Sequence, residues 1–203
     1  MRAPNLGVVL ILLSLAVGWW SCTTSVQSSE ELQDYVRNER NGLQQGKTFG
    51  PVEVQVTYRP PDLLAAQEMR GQEGNDVLLD SLRRGYGKFA HFVLSLSAGG
   101  KEVETYNLQS GFGDRVTTLA FGMKEYVYLL TSQRDTIPAA DYFYQRTYGV
   151  GGASELLFAF DRSKIEATDW FQFVVDEFGL GVGNTRFRFE VGDLAKTPQI
   201  EYQ

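Results

Sequence analysis

Few side chains in this sequence could carry out acid–base or nucleophilic chemistry. The 203 residues contain one histidine, His91, and one cysteine, Cys22. A Ser-His-Asp triad would need His91 as its base, and the G-x-S-x-G sequence that carries many catalytic serines does not occur. His91 lies in a predicted strand, where a packed or surface histidine is the ordinary case. The sequence therefore favours a protein without catalysis, and a small hydrolase that uses His91 or a carboxylate pair is the alternative.

A glycine-rich stretch near the end of the chain has the residue types of an ion-binding loop. Residues 179–183 read G-x-G-x-G, but neither a helix pattern nor a Lys-Ser/Thr pair follows, which argues against a phosphate-binding loop. The side-chain oxygens of Asp176, Glu177 and Asn184 could hold Ca²⁺ together with loop carbonyls. Their spacing matches no calcium-loop motif. A solvated acidic loop between two strands is the other interpretation.

Aromatic residues are concentrated around one predicted strand. Tyr142, Tyr144 and Tyr148 lie close together in the sequence, and Trp170 begins a later strand. On one exposed face, such rings could stack on sugars or peptides and form a glycan-binding surface. Alternatively, the rings fill the core of the domain. The sequence favours the core, with the glycan-binding module as a second hypothesis.

The first 22 residues have the composition of an export signal. Arg2 and the amino terminus are positive, and the apolar run 6–20 has the length of a signal-peptide core and is short for a spanning helix. Ser21 ends the run, and Cys22 follows it directly. This arrangement resembles the signal peptide of a bacterial lipoprotein. The resemblance implies that residues 1–21 are removed and that the thiol and the new amino group of Cys22 are acylated.

The same resemblance bears on the location of the protein. In some bacteria an Asp after the acylated cysteine retains a lipoprotein in the inner membrane, but here Thr23 follows Cys22. Outer-membrane sorting is therefore expected, and the body could face either the periplasm or the cell surface. A plain secretory signal and an uncleaved anchor are the alternatives. The leading hypothesis is a lipid-anchored accessory or binding module that has a protein partner in the cell envelope.

Composition limits the partners and cofactors. Residues 1–21 hold one arginine and no acid, so 18 basic and 25 acidic residues remain, a net charge of −7. An acidic surface argues against binding to nucleic acid or to anionic lipid. With Cys22 acylated, no thiol remains for a disulfide or a thiolate metal site, and one histidine cannot build a His-rich site. The weak Ca²⁺ hypothesis is thus the only cofactor expectation.

From residue 50 onward the chain is predicted to be mostly β. Seven to nine strand candidates occur, and none alternates regularly with helices, which favours an antiparallel β-sandwich, immunoglobulin-like or related. A short helical insertion is predicted over 62–84. The expected organisation is a helical signal peptide over 1–21, a lipidated tether over 22–49 and one sandwich domain over 50–203.

The tether contains one possible helix. Ser28 and Glu31 have the spacing of a capping box, and apolar residues recur at helical spacing over 32–36. We expect a short helix over 30–41 that frays on the tether.

Four local predictions concern the rest of the domain. The pair Gly99-Gly100 indicates a hairpin, with 102–107 as the returning strand. Residues 112–121 are ambiguous between strand and helix. The run 125–131 is apolar on both faces, which predicts a central strand. Residues 193–203 are expected to be a tail or a last edge strand.

The clearest pattern predicts that 170–175 and 185–191 pair antiparallel, with Phe187 and Phe189 in the core and Arg188 in solvent. Phe189→Ala should therefore lower the free energy of unfolding by about 3–5 kcal/mol, because it empties a buried aromatic site. Arg188→Ala should change it by less than about 0.5 kcal/mol. Urea denaturation of both variants measures the difference. Comparable losses would show a strand that is buried on both faces.

Overall fold

A computed structural model describes residues 25–26, 28–70, 75–106 and 112–201, so the predicted signal peptide and Cys22 lie outside the described residues. The fold is mostly β, with antiparallel sheets and a few short helices. The strands are β1 (Ser25–Val26), β2 (Gln44–Phe49), β3 (Val52–Arg59), β4 (Phe89–Ala98), β5 (Lys101–Glu102), β6 (Val127–Thr131), β7 (Thr136–Pro138), β8 (Asp141–Gln145), β9 (Ser154–Asp161), β10 (Trp170–Val175), β11 (Thr185–Glu190) and β12 (Gln199–Ile200). The α-helices are α1 (Ser29–Arg37), α2 (Pro61–Glu68), α3 (Asp76–Tyr86), α4 (Phe112–Thr117), α5 (Arg162–Glu166) and α6 (Val191–Ala195).

Two antiparallel sheets carry most of the fold. The larger sheet has the strand order β2-β3-β4-β9-β8, with β5 paired to the end of β4, and the smaller has the order β11-β10-β6-β7. Buried and more exposed residues alternate along β3, β9 and β11, so each of these strands turns one face inward. The inward faces of the two sheets pack against each other, which fits a β-sandwich-like fold.

Aromatic rings fill the space between the sheets. Phe92, in the central strand β4, is fully buried, and its ring centroid lies 6.1 Å from that of Phe160 in the same sheet. It also lies 5.7 Å from Phe171, 5.8 Å from Phe173 and 5.3 Å from Phe189, all in the smaller sheet. Tilted and edge-to-face ring pairs at these distances add about 0.5–1.5 kcal/mol each beyond the burial of their area. The core therefore sets how the sheets face each other.

Residues 25–26 and 28–49 belong to the folded body. Ser28 caps α1, and its hydroxyl oxygen accepts the amide N–H of Glu31 at 3.2 Å, as the capping-box spacing predicted. Leu32 and Val36 are buried in the main core, so the expectation of a fraying helix was wrong. The strands β2 and β3 pair as a hairpin, and the expected boundary between residues 49 and 50 lies inside it. Helical periodicity reveals an apolar stripe but not its packing partner.

A buried ion pair fixes the last strand. The carboxylate of Asp62, in α2, accepts two hydrogen bonds of 2.9 Å from the guanidinium of Arg83, in α3. It also accepts the amide N–H of Ile200 at 2.7 Å, and Arg83 donates to the Ile200 carbonyl at 2.5 Å. The strand β12 in turn pairs in parallel with β1, in the register Ser25 to Gln199. The first and last described segments therefore lie side by side.

Several strand predictions are confirmed. The strands β10 and β11 pair antiparallel, with Phe187 and Phe189 buried and Arg188 exposed. The strand β6 lies between β10 and β7, which confirms its central position. The helical insertion is present as α2 and α3, and Asn75 caps α3 as its position suggests.

Other local predictions are corrected. In the described part of the predicted returning strand 102–107, only Glu102 is in β5, which pairs with β4, and residues 103–105 form a 3₁₀ turn. Here the buried carboxylates of Glu102 and Glu104 accept hydrogen bonds from residues of β8, β9 and the loop between them. The ambiguous stretch is helical, with α4 followed by a π-helical turn over 118–122. The expected tail contains α6 and β12. No helix within the described ranges is both long and apolar enough to cross a bilayer.

The ion pair that holds β12 gives a stability prediction. Asp62→Asn should lower the free energy of unfolding by about 1.5–3 kcal/mol, the range for hydrogen bonds to a charged group. The matched control is Glu190→Gln, which removes an exposed ion pair with Arg188 and should cost less than about 1 kcal/mol. Urea denaturation measures both. Equal losses would contradict a structural role for Asp62.

Candidate functional site

The outer face of the larger sheet carries a polar cleft beside α1. Alternation along β3 buries Val54 and Val56 and turns Gln55, Thr57 and Arg59 to the opposite face. These outward residues line a cleft of about 160 Å³. The remaining lining residues come from α1, β2, β4 and β9, with Leu63 from α2. Two helices and four adjacent strands thus contribute to the same cavity.

Strand register places the polar lining in rows. Gln55 is the cross-strand neighbour of Ser95, and Ser95 is the neighbour of Glu155 on β9. Gln44 on β2 is opposite Thr57, and the Thr57 hydroxyl donates to the Gln44 side-chain carbonyl at 3.4 Å. Because neighbouring strands are about 4.8 Å apart, these rows span the width of the cleft.

Cations outnumber acids in the cleft lining. Arg37 and Arg59 line it, and Glu155 is the one acid that does so among the described residues. Burial lowers the pKa of the half-buried Arg59, repulsion from Arg37 and Arg70 lowers it further, and Glu155 opposes the shift. Within the part of the chain that the structure describes, no side chain forms a hydrogen bond or an ion pair with the Arg59 guanidinium. The cleft is therefore a cationic spot on a protein whose net charge is −6.

His91 lies on the same face but is packed instead of being open to a cleft. It is the cross-strand partner of Arg59, and 7% of its surface is exposed. Its ring lies edge-on to Tyr86 at 5.7 Å and to Phe89 at 6.3 Å. Burial lowers the pKa of His91 to about 4, and the charge of Arg162 adds to the shift. Its Nδ1 is buried and has no hydrogen-bond partner among the described residues, so no triad geometry is present there.

The predicted aromatic residues do not form one platform. Tyr142 is half-buried and stacks on Phe158, with ring centroids 5.3 Å apart and planes 15° apart. Trp170 lies on the smaller sheet and is covered by the guanidinium of Arg188 at 4.2 Å. The two rings therefore belong to different sheets, and Tyr142 packs against the core.

The other two predicted tyrosines have different surroundings from each other. Tyr144 is half-buried and its hydroxyl donates to the buried carboxylate of Glu104. Tyr148 follows in a loop, where it is 77% exposed and lies 4.6 Å from the guanidinium carbon of Arg146. Only Tyr148 of the four predicted aromatic residues is fully available to a ligand.

The glycine-rich loop binds its own acidic side chain. The Glu177 carboxylate accepts amide N–H groups from Gly179 at 2.7 Å, Gly181 at 2.9 Å and Gly183 at 2.6 Å. The side-chain oxygen of Asn184 accepts the amide N–H of Glu177 at 2.9 Å. Burial raises the pKa of Glu177, but the amide hydrogen bonds outweigh burial, and the pKa lies below its usual value. The oxygens considered for Ca²⁺ are thus engaged by N–H donors.

The remaining candidate calcium ligand is separate from this arrangement. Asp176 is half-buried, and its Oδ1 has no hydrogen-bond partner in the described part of the chain. No group of three or more His, Cys, Asp or Glu residues in the described ranges is placed to hold a metal. The Ca²⁺ site at Asp176, Glu177 and Asn184 therefore stays a prediction.

Two buried glutamates organise the neighbourhood of β8. Glu102 is fully buried, and its carboxylate accepts the Thr147 hydroxyl and the amide N–H groups of Gly149, at 2.6 Å, and Gly151, at 2.9 Å. Burial raises its pKa, but these hydrogen bonds outweigh burial and lower it. The carboxylate of the buried Glu104 accepts hydrogen bonds from the hydroxyl groups of Tyr144 in β8 and Ser154 in β9. Glu102 thus holds the loop 147–152 in place.

Sequence reasoning missed Arg59, Glu102 and Glu104. The alternation of residues 52–58, continued by one residue, would place Arg59 on the outward face, but Arg37 and Glu155 are far away in the sequence, so no contiguous motif indicates the cleft. The spacing of the two glutamates put them on one face, without indicating that this face is covered. Only the pairing of strands reveals these neighbours.

Comparisons with known proteins add no family. No protein-family model matches the chain, and no curated protein matches it. Among solved structures, the chain is similar to the crystal structure of a DUF4426 family protein from Pseudomonas aeruginosa PAO1, with 12% identity and a TM-score of 0.36. The match covers 73% of this chain and 94% of that protein. This similarity is too weak to support a conclusion about the fold or the function.

The low pKa of His91 predicts a specific pH dependence. Because its pKa is about 4 in the folded state and about 6.5 when unfolded, protonation favours the unfolded chain, and stability falls as the pH drops from 6.5 towards 4. Between pH 6.5 and 5 the loss should be roughly 1.5 kcal/mol. His91→Gln should lack this loss. Urea denaturation at both pH values tests it, and an equal pH dependence in the two proteins would contradict the assignment.

Proposed function

We propose that this protein is a lipid-anchored, non-enzymatic accessory or binding module of the bacterial cell envelope, sorted to the outer membrane through acylation of Cys22. Its body then interacts with a protein partner of the envelope. An immunoglobulin-like arrangement of the sandwich is part of this proposal.

One observation limits the length of the proposed anchor. The first described strand, Ser25–Val26, is held on the body by pairing with β12, and β12 is held by Asp62 and Arg83. An extended chain spans at most about 3.6 Å per residue, so three residues separate the predicted acylation site from a fixed point by no more than about 11 Å. An acyl group on Cys22 would keep the body next to the bilayer surface instead of on a long tether.

The chemistry of the cleft supports binding over catalysis. Guanidinium, amide and hydroxyl groups line it, and these bind ligands through hydrogen bonds and charge. The described histidine is packed between rings, without the hydroxyl or carboxylate partners that nucleophilic catalysis requires. The carboxylate oxygens of Glu102 and Glu104, two buried acids close in the sequence, accept hydrogen bonds from residues of β8, β9 and the loop between them.

The anchor is tested by replacing the acylated residue. Cys22→Ser should release the protein from membranes or leave an uncleaved precursor, because no thiol remains to be acylated. Thr23→Ser is the matched control and should leave acylation and membrane location unchanged. Membrane fractionation and mass spectrometry of the mature amino terminus give the result. A mature protein that begins with an unacylated residue other than Cys22 would contradict the proposal.

The proposal of a binding module is tested by identifying the proteins that co-purify with this protein from membranes. Mild solubilisation of membranes followed by purification should recover the wild-type protein with an envelope partner. His91→Ala should fold less stably and keep the same partner, because the ring has only a packing role. A His91→Ala protein that folds and reaches the membrane, yet loses its cellular role, would favour the hydrolase alternative.

A further inference from the structure

We propose that the cleft beside α1 is a binding site for a carboxylate on a short apolar group, with Arg59 as the residue that binds the carboxylate. The inference concerns the outer face of β3 and its neighbours. It goes beyond the proposed envelope role and does not depend on acylation of Cys22.

The charge of the site is the first argument. Arg37 and Arg59 face one acid, Glu155, in the lining of the cleft, while the whole chain carries a net charge of −6. Arg59 is half-buried, and its guanidinium makes no hydrogen bond or ion pair with the residues that the structure describes. A partly desolvated charge without such a partner is less favourable than a fully solvated one, and an anion bound next to it lowers this cost.

The geometry of the donors is the second argument. A guanidinium presents a planar fork of N–H groups that matches both oxygens of a carboxylate. The side chains of Gln33, Gln44 and Gln55 line the same cleft, and each amide has two further N–H donors. The Gln44 carbonyl already accepts a hydrogen bond from Thr57, which leaves its amino group as the part available to a ligand.

The apolar lining and the size define the rest of the ligand. Val36, Leu63 and Val93 line the cleft among its polar residues. A volume of about 160 Å³ is close to that of a cavity of roughly 150 Å³ that accommodates benzene, a molecule of six heavy atoms. The cleft thus accommodates a carboxylate with a short apolar substituent, such as the end of a peptide, and not a long polymer.

Glu155 selects against doubly charged anions. With Arg37 and Arg59 it leaves a net charge of +1 in the lining, which one carboxylate neutralises. A phosphate with nearly two negative charges would be repelled by Glu155. The site therefore favours a monovalent carboxylate over phosphate.

The test is an equilibrium titration of the detergent-solubilised full-length protein, followed by its amide NMR signals. N-acetylalanine, a peptide-like carboxylate, should shift signals of the cleft residues, and the neutral N-acetylalanine amide should not. Arg59→Gln should weaken binding of N-acetylalanine tenfold or more, the effect of losing hydrogen bonds to a charged group. Arg186→Gln is the matched control, since Arg186 is exposed on the smaller sheet; it should bind as the wild type does.

A second variant tests the charge argument by a gain. Glu155→Gln should tighten binding of N-acetylalanine about two- to fivefold, because it removes the repulsion between the Glu155 carboxylate and the bound carboxylate. The expected size corresponds to the interaction energies measured for exposed charge pairs. Loss of fold cannot produce such a gain. Titration with glucuronate, a carboxylate on a larger polar ring, tests the apolar part of the inference: it should bind more weakly than N-acetylalanine, and equal or tighter binding would contradict a short apolar substituent.

Three results would overturn the inference. These are equal binding of the acid and its amide, equal effects of Arg59→Gln and Arg186→Gln, and tighter binding of phosphate than of either carboxylate. None of these results affects the anchor, which is measured separately at Cys22.

Discussion

Ring packing around Phe92 is the interaction on which the rest of the molecule depends. This side chain joins the central strand of the larger sheet to rings on two strands of the smaller one, so it fixes the distance and orientation of both sheets. Because side chains alternate along a strand, committing one face of β3, β4 and β9 to this core commits the other face to the outside. The same register that buries Phe92 therefore aligns Arg59, Ser95 and Glu155 along the outer face.

The sequence predicted those features that are encoded locally. The sequence pattern predicted β10, β11 and their pairing, and side-chain spacing predicted the cap of α1, because each depends on residues a few positions apart. Features that depend on distant partners were missed or misjudged. The helical spacing of Leu32 and Val36 predicts an apolar stripe but not that the main core covers it. No residue near Arg59 in the sequence indicates that Arg37 and Glu155 line the same cleft. Strand pairing supplies these contacts, and no pattern within one segment contains it.

Acidic residues in this protein act as internal acceptors as well as surface charges. Asp62, Glu102 and Glu104 are buried, and Glu177 is bound by the amides of its own loop. A carboxylate that accepts two or three N–H groups organises a loop that lacks regular backbone pairing. This role explains why an acidic, glycine-rich stretch that resembles an ion site in the sequence is self-contained in the structure. It also means that the net charge of the chain overstates the acidity of its surface.

The pairing of β1 with β12 brings the first and last described strands next to each other. Ser25 and Gln199 are register partners on adjacent parallel strands, so the backbone at Gln199 lies within about one strand spacing of that at Ser25. A short linker could join the two segments, and the cut could be moved to an exposed turn such as Gly99-Gly100 without altering a single strand pairing. The strand pairings therefore do not depend on the order in which the elements are connected along the chain. We expect a circularly permuted protein to keep the same fold.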